Sequence, residues 1–109
     1  MTDLALRSCS PRKGSALSTA AAKTLTKQLA GWTMNAKAKE IRRTFKFKNY
    51  YQSMAFVNAV AWIAHGEDHH PDMTVGYNKV TVAFSTHSVG GLSENDFISA
   101  AKVDTLGAA

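Results

Sequence analysis

The chain has 109 residues, of which 45% are hydrophobic, and it carries a formal net charge of +5 with a pI near 9.6. This length predicts one domain with a core of its own, and the ordinary hydrophobic content excludes a wholly disordered chain. The single cysteine, Cys9, excludes an intrachain disulfide, no apolar run reaches the roughly 20 residues that span a bilayer, and the first residues lack a secretory signal. We therefore expect a soluble, cytoplasmic protein that does not bind membranes.

The positive charge is spread along the chain rather than gathered in one motif. Basic residues occur near the N-terminus, on a predicted helix and on a predicted strand, and they include Arg7, Arg12, Lys23, Lys27, Arg42 and Lys46. No nucleic-acid-binding motif accompanies them. The charge therefore favours a solvated basic surface over a nucleic-acid site.

The first 16 residues lack apolar periodicity, which predicts a flexible N-terminal arm over residues 1–16. A first helix is predicted from Ser18, a good N-cap, because Leu25 and Leu29 share a face four residues apart. Gly31 is expected to end this helix.

Two strands are predicted next, Trp32 to Asn35 and Ile41 to Lys48, joined by a hairpin-sized connection. In the second strand apolar residues alternate with polar ones, and only Arg43 breaks the apolar side. This pattern indicates an antiparallel strand with one buried face and one wet face.

A long apolar helix is predicted from Tyr50 to about His65, capped by Asn49 and ended by Gly66. It carries more than one apolar stripe, with Trp62 between two of them. One stripe can cover the sheet, and the second predicts either self-association through this helix or cover from the other two helices.

The rest of the chain predicts two more strands and a last helix. Asp72 to Tyr77 is a short strand or a connection, and Asn78 to Thr86 alternates most clearly. Ser93 and Asp96 resemble a capping box that opens the third helix, and residues 105–109 are expected to fray. The order α-β-β-α-β-β-α predicts a single α+β domain over residues 17–104, with a four-stranded antiparallel sheet and helices packed on one face.

Three of the four histidines lie within six residues of one another. His65 is followed by Glu67-Asp68-His69-His70-Pro71, and His87 comes at the end of a predicted strand. Pro71 biases His70 to extended backbone, and Asp68 can orient a neighbouring imidazole. Because imidazole gives and takes protons near neutral pH, we predict that the cluster and His87 meet in an acid–base site.

Three other interpretations stay open at this point. His65 and His69 have the spacing of helical metal ligands, with His87 as a third, although Gly66 and Pro71 oppose a continuous helix through them. The histidines could also be structural. Nucleophilic catalysis is weaker, because Cys9 has no ordered partner and no serine lies in a nucleophile elbow.

Several motifs together resemble the signature of the pterin-4a-carbinolamine dehydratase family. They are Asp68-His69-His70-Pro71, Tyr77-Asn78-Lys79-Val80, Ser85-Thr86-His87, Gly91-Leu92-Ser93 and Asp96, with Gly31-Trp32, Phe45-Lys46-Phe47 and Phe56-Val57-Asn58 upstream. The resemblance covers residues 17–104. It implies the same α+β fold, assembled as a homodimer or homotetramer.

The resemblance also implies an activity: removal of water from 4a-hydroxytetrahydropterin to give quinonoid dihydropterin, which recycles the cofactor of aromatic amino acid hydroxylases. No metal or organic cofactor is implied. His69, His70 and His87 would be catalytic, and the substrate-binding residues would be Asp68, Ser85, Thr86, Ser88, Trp32 and His65. His65 departs from the family, because many members carry a glutamate there. Animal members also act as dimerisation cofactors of a transcription factor, so a non-catalytic scaffold is the alternative function.

Overall fold

The protein, here as a computed structural model, is described over residues 3–107. Its helices are α1 (Thr19–Thr26), α2 (Tyr50–Glu67) and α3 (Glu94–Asp104), its strands are β1 (Thr33–Met34), β2 (Ile41–Lys46), β3 (Asp72–Val75) and β4 (Lys79–Phe84), and its short 3-10 turns are Leu4–Leu6 and His87–Val89. The predicted α-β-β-α-β-β-α order is confirmed.

The four strands form one antiparallel sheet in the order β1-β2-β4-β3. Ile41 of β2 pairs with Phe84 of β4, and Phe45 pairs with Val80; all four are buried. The alternating polar residues of β2, such as Thr44, are exposed on the opposite face. The predicted half-buried strand is therefore confirmed, and the helices cover its apolar side.

All three helices begin at caps that the sequence predicts. The Ser18 and Asn49 side chains accept hydrogen bonds from backbone N–H groups in the first turns of α1 and α2. Ser93 and Asp96 form a complete capping box at the start of α3. Each cap satisfies N–H groups that the helix itself leaves unpaired, which explains why the helices start at these residues.

Two helix ends differ from the prediction. α1 stops at Thr26, before Gly31. The prediction that Gly66 ends α2 is wrong, because the helix continues to Glu67 and its cap is Asp68, in a left-handed conformation with φ 53. The Asp68 N–H bonds back to the carbonyl oxygens of Ala64 and His65, so the chain leaves the helix one residue before His69.

The N-terminal segment lies against α3. Leu4 is 2% exposed, and Lys102 of α3 donates a hydrogen bond from Nζ to the Ala5 carbonyl oxygen. The Cys9 N–H donates to Glu67 at the end of α2, over 2.8 Å. These contacts describe a docked segment, while the predicted flexibility of residues 1–16 and of the 105–109 tail stays a prediction. Residues 1–2 and 108–109 lie outside the described range.

One face of α2 lacks cover. Trp62 is 75% exposed and Tyr51 is 80% exposed, and within residues 3–107 neither α1 nor α3 shields them. The second apolar stripe predicted either self-association or cover by α1 and α3. Since these helices do not cover Tyr51 and Trp62 within residues 3–107, self-association stays the prediction. None of the helices described between residues 3 and 107 is long and apolar enough to cross a bilayer.

Docking of the N-terminal segment should depend on pH through Glu67. The hydrogen bond from Cys9 and the nearby Lys102 ammonium hold the pKa of Glu67 below its ordinary 4.5, against the opposing effect of burial. A lowered folded-state pKa contributes stability that is full above pH 4.5 and is lost as the pH falls through the folded-state value. Urea unfolding should therefore show a stability gap between wild type and Glu67→Gln that closes on acidification.

Asp104 provides a control of opposite sign. Burial raises the pKa of Asp104 above its ordinary 3.8 and outweighs the hydrogen bonds from Trp32 and Arg43. This contribution is present at low pH and is lost as the pH rises through the folded-state pKa. Wild type should therefore lose stability relative to Asp104→Asn as the pH rises. If both stability gaps changed in the same direction with pH, one of the two assignments would be wrong.

Candidate active site

The histidines come from two loops at one end of the sheet. His69 and His70 lie between the left-handed cap of α2 and the start of β3, and His87 opens the 3-10 turn after β4. β3 starts beside the end of β4, because Asp72 pairs with Ala83. The antiparallel register therefore brings together two loops that are distant in sequence.

A cleft of ≈ 190 Å³ opens between these loops. Most of its lining side chains are polar or ionisable: Asp68, His69, His70, Asp72, Ala83, Ser85, Thr86, His87 and Ser88. The structure thus gathers seven of the nine site residues selected from the sequence.

His69 is held in one orientation by a buried carboxylate. Its Nε2 lies 2.6 Å from Oδ1 of Asp96, whose side chain is 0% exposed. The imidazole ring is parallel to the Phe84 ring within 11°, with centroids 6.0 Å apart. A carboxylate accepts the Nε2 hydrogen, which leaves Nδ1 as the nitrogen available to a molecule in the cleft.

Asp96 is itself fixed by a small polar network. Its Oδ2 accepts hydrogen bonds from the Thr86 hydroxyl (2.8 Å) and from the Ser93 backbone N–H (3.0 Å). The Thr86 and Ser93 hydroxyl oxygens lie 2.7 Å apart. The carboxylate that caps α3 therefore also orients His69, and the network leaves it little freedom to turn.

The other two imidazoles are accessible. The rings of His70 and His87 are both exposed and meet edge to face, with centroids 6.4 Å apart. His70 also contacts the Pro71 carbonyl oxygen through Nδ1, over 3.4 Å. The cleft thus combines one fixed, half-buried imidazole with two that can approach a ligand.

A family model described as "Pterin 4 alpha carbinolamine dehydratase" matches residues 15–106. The chain belongs to this family. A protein of Nitrosospira multiformis named "Putative pterin-4-alpha-carbinolamine dehydratase" is 61% identical over 106 residues, which are 95% of this chain and 92% of that protein. A protein of the same name from Stenotrophomonas maltophilia is 57% identical over 105 residues, 94% of this chain and 90% of that protein.

Two solved structures share the dehydratase-family fold. One, described as a "transcriptional coactivator/pterin dehydratase from Brucella Melitensis", has a TM-score of 0.81 and 32% identity over 87% of this chain and 100% of that one. The other, described as "a pterin dehydratase-like protein as a RuBisCO assembly factor in the alpha-carboxysome", has a TM-score of 0.62 and 26% identity, covering 72% and 93%.

Two residues that the dehydratase resemblance selects do not line the cleft. The Trp32 indole is 4% exposed, packs against Phe45 and Phe84, and donates its N–H to Asp104. His65 is exposed on α2 beside Trp62, with ring centroids 5.7 Å apart. Trp32 therefore lies in the core, and His65 lies on the neighbouring surface.

The part that sequence reasoning missed is the function of Asp96. Its spacing from Ser93 predicts only a helix cap, and nothing local links it to His69, which is 27 positions away. A capping acid followed at once by buried apolar residues was the available signal, because its second oxygen then has to find a partner inside the protein. The alternation of residues 78–86 predicts a strand with one buried face, but it does not predict that Phe84 backs the His69 ring.

The geometry gives little support to the metal interpretation. Within residues 3–107, no three His, Cys, Asp or Glu side chains are arranged so that they could hold one metal ion. The ring of His65 lies against Trp62, whereas that of His69 is bound to Asp96.

Proposed function

We propose that the protein removes water from a 4a-hydroxytetrahydropterin and releases the quinonoid dihydropterin. The observation that carries this proposal is the His69–Asp96 pair, at 2.6 Å, beside two accessible imidazoles in one cleft. Membership of the dehydratase family supplies the substrate class. The residues supply groups that can give and take a proton near neutral pH.

The reaction needs one proton delivered and one removed. An imidazolium protonates the 4a-hydroxyl, the ring nitrogen lone pair forms the C=N bond, and the C–O bond breaks to release water. A neutral imidazole then takes a proton from the cationic ring system, so charge and atoms balance. We assign these two functions to His69 and His87, with His69 acting through Nδ1 because Asp96 holds Nε2.

The other lining residues bind and orient the substrate in this proposal. His70 faces the same space as His87, and Asp68 and Ser85 offer oxygen atoms to the ring nitrogens. Thr86 is 5% exposed and its hydroxyl donates to Asp96, so we assign it to positioning the carboxylate. His65 and Trp32 have no part in the proposed contacts, because neither lines the cleft.

The wider setting belongs to the same proposal. Catalysis uses no metal or organic cofactor, and the product returns to an aromatic amino acid hydroxylase in the cytoplasm. The exposed face of α2, with Tyr51 and Trp62, supports assembly into a homodimer or homotetramer.

The test is the rate of 4a-hydroxytetrahydropterin dehydration, followed by ultraviolet absorbance with a chelator present. Purified protein should accelerate the reaction, and His70→Ala should lower kcat/KM about tenfold, the effect of one lost hydrogen bond to the substrate. If His69→Ala and His87→Ala each left the rate unchanged, the assignment of acid and base would be wrong. If the purified wild type did not accelerate dehydration, the proposed enzymatic activity would be wrong.

A second function is a binding scaffold with the same fold. The solved relatives are described as a transcriptional coactivator/pterin dehydratase and as a RuBisCO assembly factor. The exposed apolar face of α2, including Tyr51 and Trp62, is the surface we would assign to it. The scaffold function would be favoured if the wild type bound pterin without accelerating dehydration and formed a protein complex that Trp62→Ala does not form.

A further inference from the structure

The N-terminal segment connects the two loops that carry the histidines. The Cys9 N–H donates to Glu67, two residues before His69. Three residues further along the segment, the Arg12 carbonyl oxygen accepts a hydrogen bond from Ser88, the residue after His87, over 2.9 Å. Cys9–Arg12 thus crosses from one side of the cleft to the other.

Asn95 holds the middle of this crossing. Its side chain is buried and makes hydrogen bonds in both directions with the backbone of Ser10: Oδ1 accepts from the N–H (3.2 Å) and Nδ2 donates to the carbonyl oxygen (2.8 Å). Oδ1 also accepts from Arg12 Nε at 3.0 Å. The Asn95 side chain therefore satisfies both backbone polar groups of Ser10, as a neighbouring strand would. Asn95 is also adjacent in sequence to Asp96.

The docked segment encloses a compartment beside the cleft. This space, of ≈ 220 Å³, is bounded on one side by Cys9–Arg12 and on the other by Asp68, His69, Thr86 and Ser88, which also line the cleft. The two spaces therefore adjoin each other at His69. The cleft offers imidazole rings to a flat bicyclic system, whereas the compartment offers hydroxyl, amide and carboxylate groups.

We propose that Cys9–Arg12 is a wall of the substrate site, that the compartment behind it receives the polar substituent of the pterin ring, and that bound pterin holds the segment in place. This inference rests on the proposed function for its ligand class. Asn95 acts as a positioning residue for the segment, and it also lines the compartment, although it does not line the histidine cleft.

Cys9 makes the docking measurable, because it is the single cysteine of the chain and is a partly buried residue of the segment itself. Its Sγ lies 3.4 Å from the Ser99 hydroxyl oxygen, so we expect a thiol reagent to react faster when the segment opens. We expect 7,8-dihydrobiopterin to slow Cys9 labelling in the wild type. We expect 6,7-dimethyl-7,8-dihydropterin, which has the ring without a polar substituent, to protect much less.

Asn95→Ala removes the clamp. Loss of its three hydrogen bonds should raise the labelling rate of Cys9 about tenfold or more and raise KM, while kcat changes little. Asn78→Ala is the matched control, because Asn78 is exposed at the opposite end of β4 and its side chain has no hydrogen bond within residues 3–107. It should label and turn over like the wild type.

Each result decides the inference. The proposal that Cys9–Arg12 forms a wall of the substrate site would be wrong if dihydrobiopterin bound or inhibited the protein without slowing Cys9 labelling. It would also be wrong if Asn95→Ala had the labelling rate and the KM of the wild type. If 6,7-dimethyl-7,8-dihydropterin slowed Cys9 labelling as much as dihydrobiopterin does, the compartment would not be the binding site of the polar substituent. Labelling and ligand binding can be measured without turnover. A wild type without dehydratase activity would therefore reject the proposed reaction, while the labelling experiments would still test whether Cys9–Arg12 contacts bound pterin.

Discussion

Replacement of Asp96 by asparagine should lower kcat by about 10²–10⁴-fold, the usual contribution of a positioned acid–base group. Oδ2 of Asp96 accepts from Thr86 and Ser93, so the asparagine oxygen is needed on that side. The amide nitrogen then faces His69 Nε2, where the carboxylate oxygen had accepted a hydrogen bond at 2.6 Å. Two donors cannot face each other, so Nε2 becomes the acceptor and the ring hydrogen moves to Nδ1. Nδ1 of His69, the nitrogen assigned to the cleft, then carries the hydrogen and has no free lone pair to accept a proton.

The measurement is kcat and KM of Asp96→Asn, with the histidine tautomer followed by nitrogen NMR. His69→Ala provides the second arm of a double-mutant cycle. If the carboxylate acts only through His69, the double variant should be no slower than His69→Ala alone. Asp96→Asn with kcat within about threefold of the wild type, or fully additive losses, would contradict the assignment. Urea unfolding of the same variants separates a loss of positioning from a loss of fold.

Replacement of Phe84 by alanine should lower the free energy of unfolding by about 3–5 kcal/mol. Phe84 is 1% exposed, and its ring lies between Trp32 on one side and His69 on the other, each with centroids 6.0 Å away. Removal of the ring leaves a cavity at the end of β4 nearest the histidines, where Phe84 pairs with Ile41 of β2. Since small domains have only about 5–15 kcal/mol in total, much of the variant should unfold in mild denaturant. Urea unfolding measures the loss.

Phe84→Leu separates the core function of this ring from its effect on His69. Leucine retains most of the volume and should cost less than about 1.5 kcal/mol. It no longer offers a flat surface parallel to the imidazole, so we expect a lower kcat in a protein that remains folded. A Phe84→Leu variant with wild-type kcat would show that Asp96 alone fixes the ring. An alanine variant as stable as the wild type would contradict the described core.

Much of the fold follows from local sequence patterns. The alternation in Ile41–Lys46 and the caps at Ser18, Asn49 and Ser93 were predicted correctly, because each depends on neighbours within a few positions. The end of α2 was not, since glycine permits a helix to continue and Asp68 supplied the left-handed cap.

The site was predictable to a smaller extent. The clustered imidazoles could be chosen by residue type and spacing, and three of them do line one cleft. The burial of Trp32 and the contact between His69 and Asp96 depend on how α3 packs against the sheet. Such contacts join positions far apart in sequence, and no periodicity records them. The crossing of the cleft by Cys9–Arg12 was missed for the same reason.

A single carboxylate both starts α3 and orients His69, and this has a consequence for cooperativity. Most enzymes can lose an active-site loop by local opening while the rest stays intact. Here the first turn of α3, a helix with eight of its eleven residues buried, cannot unfold without releasing His69. Partly folded states that have lost this turn therefore lack the His69–Asp96 pair, and we expect them to be inactive. Evolution faces the same linkage, because drift at this position changes stability and turnover at once.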